Sequence, residues 1–208
     1  MKANDKLVEK IKEALRKRQP PGRYQHTLGV AKAACSLANN YGISEEKAQI
    51  AGLLHDYAKD MGEDELKNYI YDHNLKVDQN LFETYQLLHG VVGAHLAKIE
   101  FGIKDPEILH AIRYHTTGRT NMDPLEKIIY LSDFIEENRD YPGVEALRKL
   151  AYKDLNEGLL QGFNNTIKFL LATDKVLHCE TVKARNEILK QLSTNEKTPQ
   201  TNNNNKNP

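Results

Sequence analysis

Helix signals recur along most of the chain, and they limit the fold more than any other feature. The first segment places Leu7, Ile11 and Leu15 at three- to four-residue spacing, the period of an amphipathic helix. Asp105-Pro106 and Asp123-Pro124 each put a capping aspartate before a proline, a combination that is typical of helix starts. No segment alternates apolar and polar residues as a half-buried strand does. The sequence therefore predicts an all-α fold, a helical bundle.

Further helices are predicted over residues 24–41, 44–62, 154–172 and 181–192, and Ser44 is the expected N-cap of the second. Residues 193–208 are almost purely polar, so they cannot bury enough apolar surface to offset the entropy of ordering. We predict one domain over residues 1–192, followed by a disordered polar tail over 193–208.

Charge and cysteine content narrow the expected partners. The chain has 208 residues, with 29 lysines and arginines against 29 aspartates and glutamates, so no net charge attracts it to a polynucleotide or an anionic membrane. No apolar run is long enough to span a bilayer, and the charged N-terminus is unlike a secretory signal. Cys35 and Cys179 are isolated and indicate no disulfide framework. We expect a cytoplasmic protein that binds neither polynucleotide nor membrane.

One polar pair interrupts an apolar helical stretch. His55 and Asp56 directly follow the apolar run over residues 50–54. A buried carboxylate is costly unless a cation or hydrogen-bond donors face it, and a metal ion is one such partner. Imidazole nitrogen and carboxylate oxygen are ligands that suit Fe, Mn, Co or Zn. The pair is therefore a candidate metal site.

Similar polar groups lie in other apolar stretches, and a helical bundle could bring them together in its core. They are His26, His89, His115 and Asp133. A single histidine in a helix is more often an ordinary core or surface residue than a ligand, and a His-Asp dipeptide also occurs by chance. His73, His95 and His110 are assigned such ordinary roles, because His73 lies in a polar stretch and the other two do not share a helical face with His89 or His115.

The ordered pattern H…HD…H…H…D resembles the HD superfamily of metal-dependent phosphohydrolases. More narrowly, the chain to about residue 192 resembles the YqeK family, the HD-domain symmetrical diadenosine tetraphosphatases. The resemblance is carried by RYQHTLGVA (23–31), GLLHDYAKD (52–60), LLHGVVGAHLA (87–97), AIRYHTTG (111–118), SDFIEENRDYPGVEALR (132–148) and TVKARNEIL (181–189). Within these stretches, Arg139-Asp140-Tyr141-Pro142-Gly143 makes the narrower assignment specific.

The resemblance implies hydrolysis of diadenosine tetraphosphate to two ADP, with a divalent metal that is iron or else Mn, Co or Zn. It implies metal ligands at His26, His55, Asp56 and Asp133, and catalytic roles for Asp56, His89, His115 and Asp133. Implied contacts to a dinucleoside polyphosphate or nucleoside diphosphate are His26, Asp56, Tyr57, Ala58, Lys59, His89, His115, Thr116, Asp133, Arg139, Val176, Leu177, His178, Cys179, Glu180 and Thr181. One departure is that Cys179 follows His178 where the family pattern leads us to expect a nearby proline.

Several alternatives stay open from the sequence. Lys59 and Arg139 suit phosphate chemically, but without the resemblance a solvated surface charge is the commoner interpretation of both. His89 and His115 could bind a second ion or the substrate. The chain could be another HD hydrolase (a nucleoside mono- or triphosphatase or a cyclic nucleotide phosphodiesterase), or a non-catalytic nucleotide-binding module. Adenine or guanine preference and a possible homodimer are also undecided.

Overall fold

The computed structural model describes the backbone of residues 3–195 and the side chains of residues 5–194. Within this range it contains helices and no strand, so the all-α prediction is confirmed. The helices are α1 (Ala3–Arg18), α2 (Pro21–Asn40), α3 (Glu45–Leu54), α4 (Glu63–Asp72), α5 (Gln79–Glu83), a 3₁₀ turn (Tyr85–Leu87), α6 (Leu88–Phe101), α7 (Pro106–Tyr114), α8 (Pro124–Ile135), α9 (Val144–Lys153), α10 (Leu155–Ala172) and α11 (Cys179–Asn195). None of these helices has both the length and the apolar composition needed to cross a bilayer.

Two helices begin at the predicted Asp-Pro caps. The Asp123 side chain accepts a hydrogen bond from the backbone N–H of Glu126 at 2.9 Å, and the Glu126 side chain accepts one from the Asp123 N–H at 2.7 Å. Asp105 accepts from the backbone N–H of Glu107 at 3.0 Å. Caps of this kind stabilise a helix by about 1 kcal/mol each, because they satisfy amides that have no partner inside the helix. The starts of α7 and α8 are therefore determined locally.

Two glycines let neighbouring helix backbones approach each other closely. A Cβ atom on Gly52 of α3 would lie 2.7 Å from the Cα of Ala31 on α2. A Cβ atom on Gly90 of α6 would lie 2.6 Å from the carbonyl oxygen of Arg113 on α7. The first contact draws the end of α3 toward α2, and the second draws α6 toward the end of α7. These are the places where the candidate site residues lie.

We expect Gly52→Ala to lower the free energy of unfolding by about 1–3 kcal/mol, because the added methyl group forces the α2 and α3 backbones apart. Chemical denaturation measures this change. Gly22→Ala is the matched control, since a Cβ atom there meets nothing within 4 Å. An unchanged unfolding free energy for Gly52→Ala would show that the two helices can separate at little cost.

The helix predicted over residues 44–62 is too long. Helix α3 ends at Leu54, and the chain then continues in tight turns until α4 begins at Glu63. The turns are closed by bonds between residues three apart, such as the Lys59 N–H to the Asp56 carbonyl at 3.1 Å. The side-chain amide of Gln19 also donates to that carbonyl at 3.2 Å. Asp56 and Lys59 therefore lie in a turn and not within the helix predicted over residues 44–62.

The last helix extends slightly beyond its predicted end. Helix α11 runs to Asn195, so it includes the first three residues of the segment predicted as a polar tail. Residues 196–208 of that segment lie outside the described residues, as do Met1 and Lys2.

Candidate metal centre

Side chains from α2, α8 and the turn after α3 form one group of possible metal ligands. A nitrogen of His26, a nitrogen of His55 and a carboxylate oxygen of Asp56 all lie within 4.8 Å of one another. Asp133 adjoins them, with its Oδ1 3.1 Å from His26 Nε2. An ion bonds such nitrogen and oxygen atoms at about 2.0–2.2 Å, so one ion could reach this group. The four ligands that the resemblance implied are therefore neighbours.

A second group shares Asp56 with the first. His89 Nε2 lies 3.2 Å from Asp56 Oδ1, and His115 Nε2 lies 3.4 Å from the same oxygen. The two Nε2 atoms are 3.1 Å apart. The rings of His55 and His115 also meet edge to face, with centroids 5.1 Å apart. Asp56 thus lies between the two groups, and all six predicted polar residues belong to one cluster.

Backbone carbonyls determine which nitrogen of each buried histidine carries the proton. In His55, His89 and His115, Nδ1 lies 2.7–2.8 Å from the carbonyl oxygen of the residue three positions earlier. A carbonyl oxygen only accepts hydrogen bonds, so Nδ1 donates. Each neutral ring is then left with a lone pair on Nε2. This arrangement orients a metal-binding histidine and makes its ligand atom more basic.

The Nε2 lone pairs point at other acceptors. The Nε2 atoms of His89 and His115 face each other and the Asp56 carboxylate, while His55 Nε2 is buried without a hydrogen-bond partner among the described residues. Buried acceptors that face one another are unfavourable, because each has lost hydrogen bonds to water. A cation placed among them removes that penalty. The donor set therefore fits a divalent metal ion.

Burial and charge set the protonation states that metal binding needs. Burial lowers the pKa of His55 and of His89 to about 4, so both rings are neutral at pH 7. Burial opposes ionisation of Asp56, but the surrounding histidines, in their protonated forms, hold the pKa of its carboxyl well below the usual value. Burial likewise opposes ionisation of Asp133, but the hydrogen bond that His26 Nε2 donates in the absence of an ion keeps the pKa of that carboxyl low. Against the effect of burial, Asp133 and Glu136 raise the pKa of His26, so an ion bound at His26 Nε2 displaces a proton. Neutral imidazoles and ionised carboxylates are the forms that bind metals.

Residues 23–138 match the family model described as "HD domain". This chain belongs to the HD domain family. The matched range contains all six members of the cluster and covers more than half of the chain, so the resemblance to the HD superfamily is confirmed.

Relatives of this HD domain share most of its length. A protein of Halalkalibacterium halodurans named "Bis(5'-nucleosyl)-tetraphosphatase, symmetrical" is 44% identical over 80% of this chain and 89% of its own. Proteins with the same name from Bacillus subtilis and Staphylococcus aureus are 42% and 36% identical. The Bacillus match covers 80% of this chain and 89% of the relative, and the Staphylococcus match covers 86% and 93%.

A solved structure confirms the fold. It is described as the crystal structure of a predicted HD superfamily hydrolase involved in NAD metabolism from Clostridium acetobutylicum. It matches this HD domain with a TM-score of 0.85 and 43% sequence identity, over 88% of this chain and 97% of the other. The helical bundle is therefore that of the HD domain.

Glu136 supports the metal centre from behind His26, and the sequence analysis missed it. Its Oε1 lies 3.2 Å from Nδ1 of His26. Its Oε2 accepts hydrogen bonds from the backbone and side-chain N–H groups of Asn138 at 2.7 and 3.0 Å. Gly29 leaves room for the carboxylate, since a Cβ atom there would lie 2.3 Å from Oε2. A carboxylate behind a ligand histidine orients its ring, so Glu136 is a positioning residue.

The signal for Glu136 in the sequence is weak. Gly29 follows His26 by three residues, which places the two on one side of α2. A glycine within a helix has many explanations, however, and Glu136 itself lies at the end of α8 among other acidic residues. Only the pairing of α2 with α8 shows that the carboxylate faces His26.

Two of the predicted phosphate contacts lie at the cluster. Lys59 Nζ is 3.3 Å from Nε2 of His89. Arg139 donates from Nε to the backbone carbonyl of Asp133 at 2.7 Å, and its Nη2 contacts the carboxylate of the same residue. Both cations thus lie beside residues of the cluster, and their contacts with phosphate stay predictions.

Arg23 is a third cation at the centre, and the sequence analysis did not select it. Its Nη1 lies 3.3 Å from Asp56 Oδ2, and its Nε donates to Asp60 at 2.8 Å. Arg23 belongs to the first turn of α2, one turn before His26. Arg23 begins the stretch RYQHTLGVA, but its contact with Asp56 could not be predicted, because the two residues are more than thirty positions apart in the chain.

The predicted substrate contacts near residues 57 and 178 have different surroundings. The Tyr57 side chain is buried and donates to Glu100 at 2.6 Å, so any contact of Tyr57 with substrate would use its backbone.

His178 is buried, and its Nε2 has no hydrogen-bond partner among the described residues; the same holds for Oγ1 of Thr116. His178 and Thr116 both line two neighbouring cavities of about 540 and 660 Å³. Val176 and Thr181 line the larger cavity and Glu180 the smaller.

Leu177 is partly buried and Cys179 is exposed. Ala58 is buried in the core beside the turn. Neither cavity is lined by Ala58, Leu177 or Cys179. The contacts that the resemblance implied for these three residues stay predictions.

Proposed function

We propose that this HD domain is a metal-dependent hydrolase that cleaves diadenosine tetraphosphate symmetrically into two ADP. The observation that carries the proposal is Nε2 of His55, which is buried without a hydrogen-bond partner in the described part of the chain and lies 3.6 Å from the Asp56 carboxylate; this arrangement fits a metal ion. The substrate is proposed because three relatives, each at least 36% identical over most of the chain, are named as symmetrical bis(5'-nucleosyl)-tetraphosphatases.

The proposed ion would be held by His26, His55, Asp56 and Asp133. A divalent ion bound there supplies Lewis acidity to a phosphoryl oxygen and makes water acidic near neutral pH. Asp56 and Asp133 are ionised, so either carboxylate can accept the proton of the attacking water. We further propose iron on the grounds of the resemblance, while Mn, Co and Zn fit the same nitrogen and oxygen donors.

His89 and His115 are proposed to face the substrate, not a second ion. Together with Asp56 they are spaced closely enough to hold one. However, the Lys59 ammonium lies 3.3 Å from Nε2 of His89, and a positive charge so close disfavours a second dication. The substrate is a polyanion, and its approach favours a proton on Nε2 of His89. A protonated Nε2 can then donate to a phosphoryl oxygen and stabilise charge that develops during cleavage.

Product analysis tests the proposed reaction. The protein is purified without oxygen, its metal content is measured, and diadenosine tetraphosphate is supplied with Fe(II) or Mn(II). Chromatography should show ADP as the product. AMP and ATP in equal amounts would contradict a symmetrical cut. Faster turnover of a nucleoside monophosphate, nucleoside triphosphate or cyclic nucleotide would favour another HD hydrolase. Nucleotide binding without turnover would favour a non-catalytic module.

We expect Arg23 to donate a hydrogen bond to a phosphate of the substrate. Arg23→Ala should therefore lower kcat/KM for diadenosine tetraphosphate by about tenfold or more, since a hydrogen bond to a charged group contributes about 1.5–3 kcal/mol. Metal content should stay unchanged, because Arg23 offers no ligand atom. Arg16→Ala is the control, as its guanidinium lies over the Tyr24 ring, away from the cluster. Loss of metal in Arg23→Ala would show that Arg23 supports Asp56 and does not bind phosphate.

Two finer properties are proposed from the sequence alone. We propose a cytoplasmic location and a possible homodimer. Cell fractionation tests the first and the mass of the protein in solution the second, and comparison of adenine and guanine dinucleotides decides the base preference that the sequence left open.

A further inference from the structure

One large aromatic side chain that lines a cavity is exposed. Phe169, close to the C-terminal end of α10, has 54% of its surface exposed. It lines the cavity of about 660 Å³, together with Tyr85 and with Val176, which is 67% exposed. Exposed apolar groups that share a concave surface mark a place where a ligand binds. The part of the cavity lined by Tyr85, Phe169 and Val176 is therefore suited to a flat apolar group.

Polar side chains also line this cavity, and one of them reaches the metal centre. Lys59 lines it and also contacts His89 of the cluster at 3.3 Å. Thr116 and His178 line it too, and each has a buried polar atom without a hydrogen-bond partner among the described residues; Oδ1 of Asp78 lies 3.6 Å from Nε2 of His178. The lining thus combines Lys59 and hydrogen-bonding groups beside the cluster with the aromatic rings of Tyr85 and Phe169, and it also includes the carboxylates of Glu63, Glu83 and Asp174. A nucleoside diphosphate has the matching parts, phosphates and a flat base.

We propose that Phe169 is the platform on which one base of the dinucleotide stacks. The identity of the ligand rests on the proposed function, whereas the position of the ring does not. Lys175 now lies over this ring, with its ammonium 5.0 Å from the centroid. Its flexible stem lets it move aside, so a base can take its place. Phe169 was not among the residues selected from the sequence.

Stacking on an aromatic ring depends little on which base is present, because every base has a π face. Phe169 therefore contributes affinity and not base preference. Removal of the ring should weaken ADP and GDP binding by similar factors of about 5- to 100-fold, the range measured for loss of a base–aromatic stack. The phosphates remain held by the metal centre, so kcat should fall less than KM rises.

A tryptophan reporter tests the contact directly. The chain has no tryptophan, so Phe169→Trp introduces a single fluorophore at the proposed platform. Its emission should be quenched when ADP is titrated into the Mn(II)-loaded protein, and pyrophosphate should leave it unchanged. Leu171→Trp is the matched control, because Leu171 lies on the same helix, is 64% exposed and does not line the cavity. Its emission should not respond to ADP.

Phe169→Ala and Leu171→Ala complete the test through calorimetric binding of ADP and the KM for diadenosine tetraphosphate. Weaker ADP binding and a raised KM in Phe169→Ala alone support the platform. Unchanged ADP binding in Phe169→Ala, with normal cleavage by the wild type, overturns the stacking proposal and leaves the proposed function intact. If the wild type neither binds ADP nor cleaves the dinucleotide, both proposals are wrong.

Discussion

Asp56→Asn should lose nearly all hydrolysis of diadenosine tetraphosphate, with kcat/KM lower by roughly 10³-fold or more, since Lewis acidity contributes several kcal/mol. The Asp56 carboxylate belongs to both groups of possible ligands in the cluster, so its negative charge acts on the donors of both groups. Asparagine has nearly the same shape but no negative charge. Metal content measured after purification should therefore fall together with activity.

The same substitution should leave the metal-free protein folded. Without an ion, the wild-type carboxylate lies buried among the lone pairs of His89 and His115, and asparagine can donate hydrogen bonds to them. Thermal unfolding with and without chelator separates this effect from loss of fold. Asp72→Asn, an exposed carboxylate on α4, is the control. Full metal content in Asp56→Asn would show that Asp56 is not a ligand.

Glu136→Gln should weaken metal binding by about 10- to 100-fold, the usual effect of a change behind a ligand histidine. Glu136 is only 2% exposed, and it faces the Nδ1 atom of His26. Its charge favours a proton on Nδ1, which leaves Nε2 free for the ion. Glutamine retains the size of the side chain and loses this charge. Titration of the metal-free protein with Mn(II) measures the change.

Glu137→Gln provides a matched comparison, because Glu137 is the next residue in the chain and pairs with Lys32 at the exposed surface. Its metal affinity should equal that of the wild type. Equal affinities for the two glutamine variants would contradict a positioning role for Glu136. A loss of activity in Glu136→Gln that excess Mn(II) restores would support it, since the role concerns affinity and not the chemical step.

Much of the secondary structure could be predicted because its causes are local. Asp123 and Glu126 are three residues apart, and their reciprocal hydrogen bonds start α8 whatever surrounds them. The end of α3 could not be predicted in this way. The apolar pattern continues through the turn that contains His55 and Asp56, but the Asp56 carbonyl accepts a hydrogen bond from Gln19, which lies 37 residues earlier. A contact of that separation leaves no periodic signal.

The chemistry of the centre could be recognised from residue types, because imidazoles and carboxylates in apolar helices require a cation or hydrogen bonds. The ordered set from His26 to Asp133 therefore predicted a metal centre before its geometry was known. Which nitrogen of each ring is free could not be predicted. That depends on backbone carbonyls of the folded helices, such as that of Gly52 at 2.7 Å from His55 Nδ1.

By itself, the sequence determined that this chain is a helical HD domain with a set of nitrogen and oxygen donors. Helix periodicity, capping and ligand type all act over a few residues or within one side chain. Only the tertiary structure decided that Glu136 supports His26, that Arg23 reaches Asp56 and that Phe169 lies open beside the cavity. The physical reason is distance along the chain: Glu136 and His26 are 110 residues apart and meet only because α2 packs against α8.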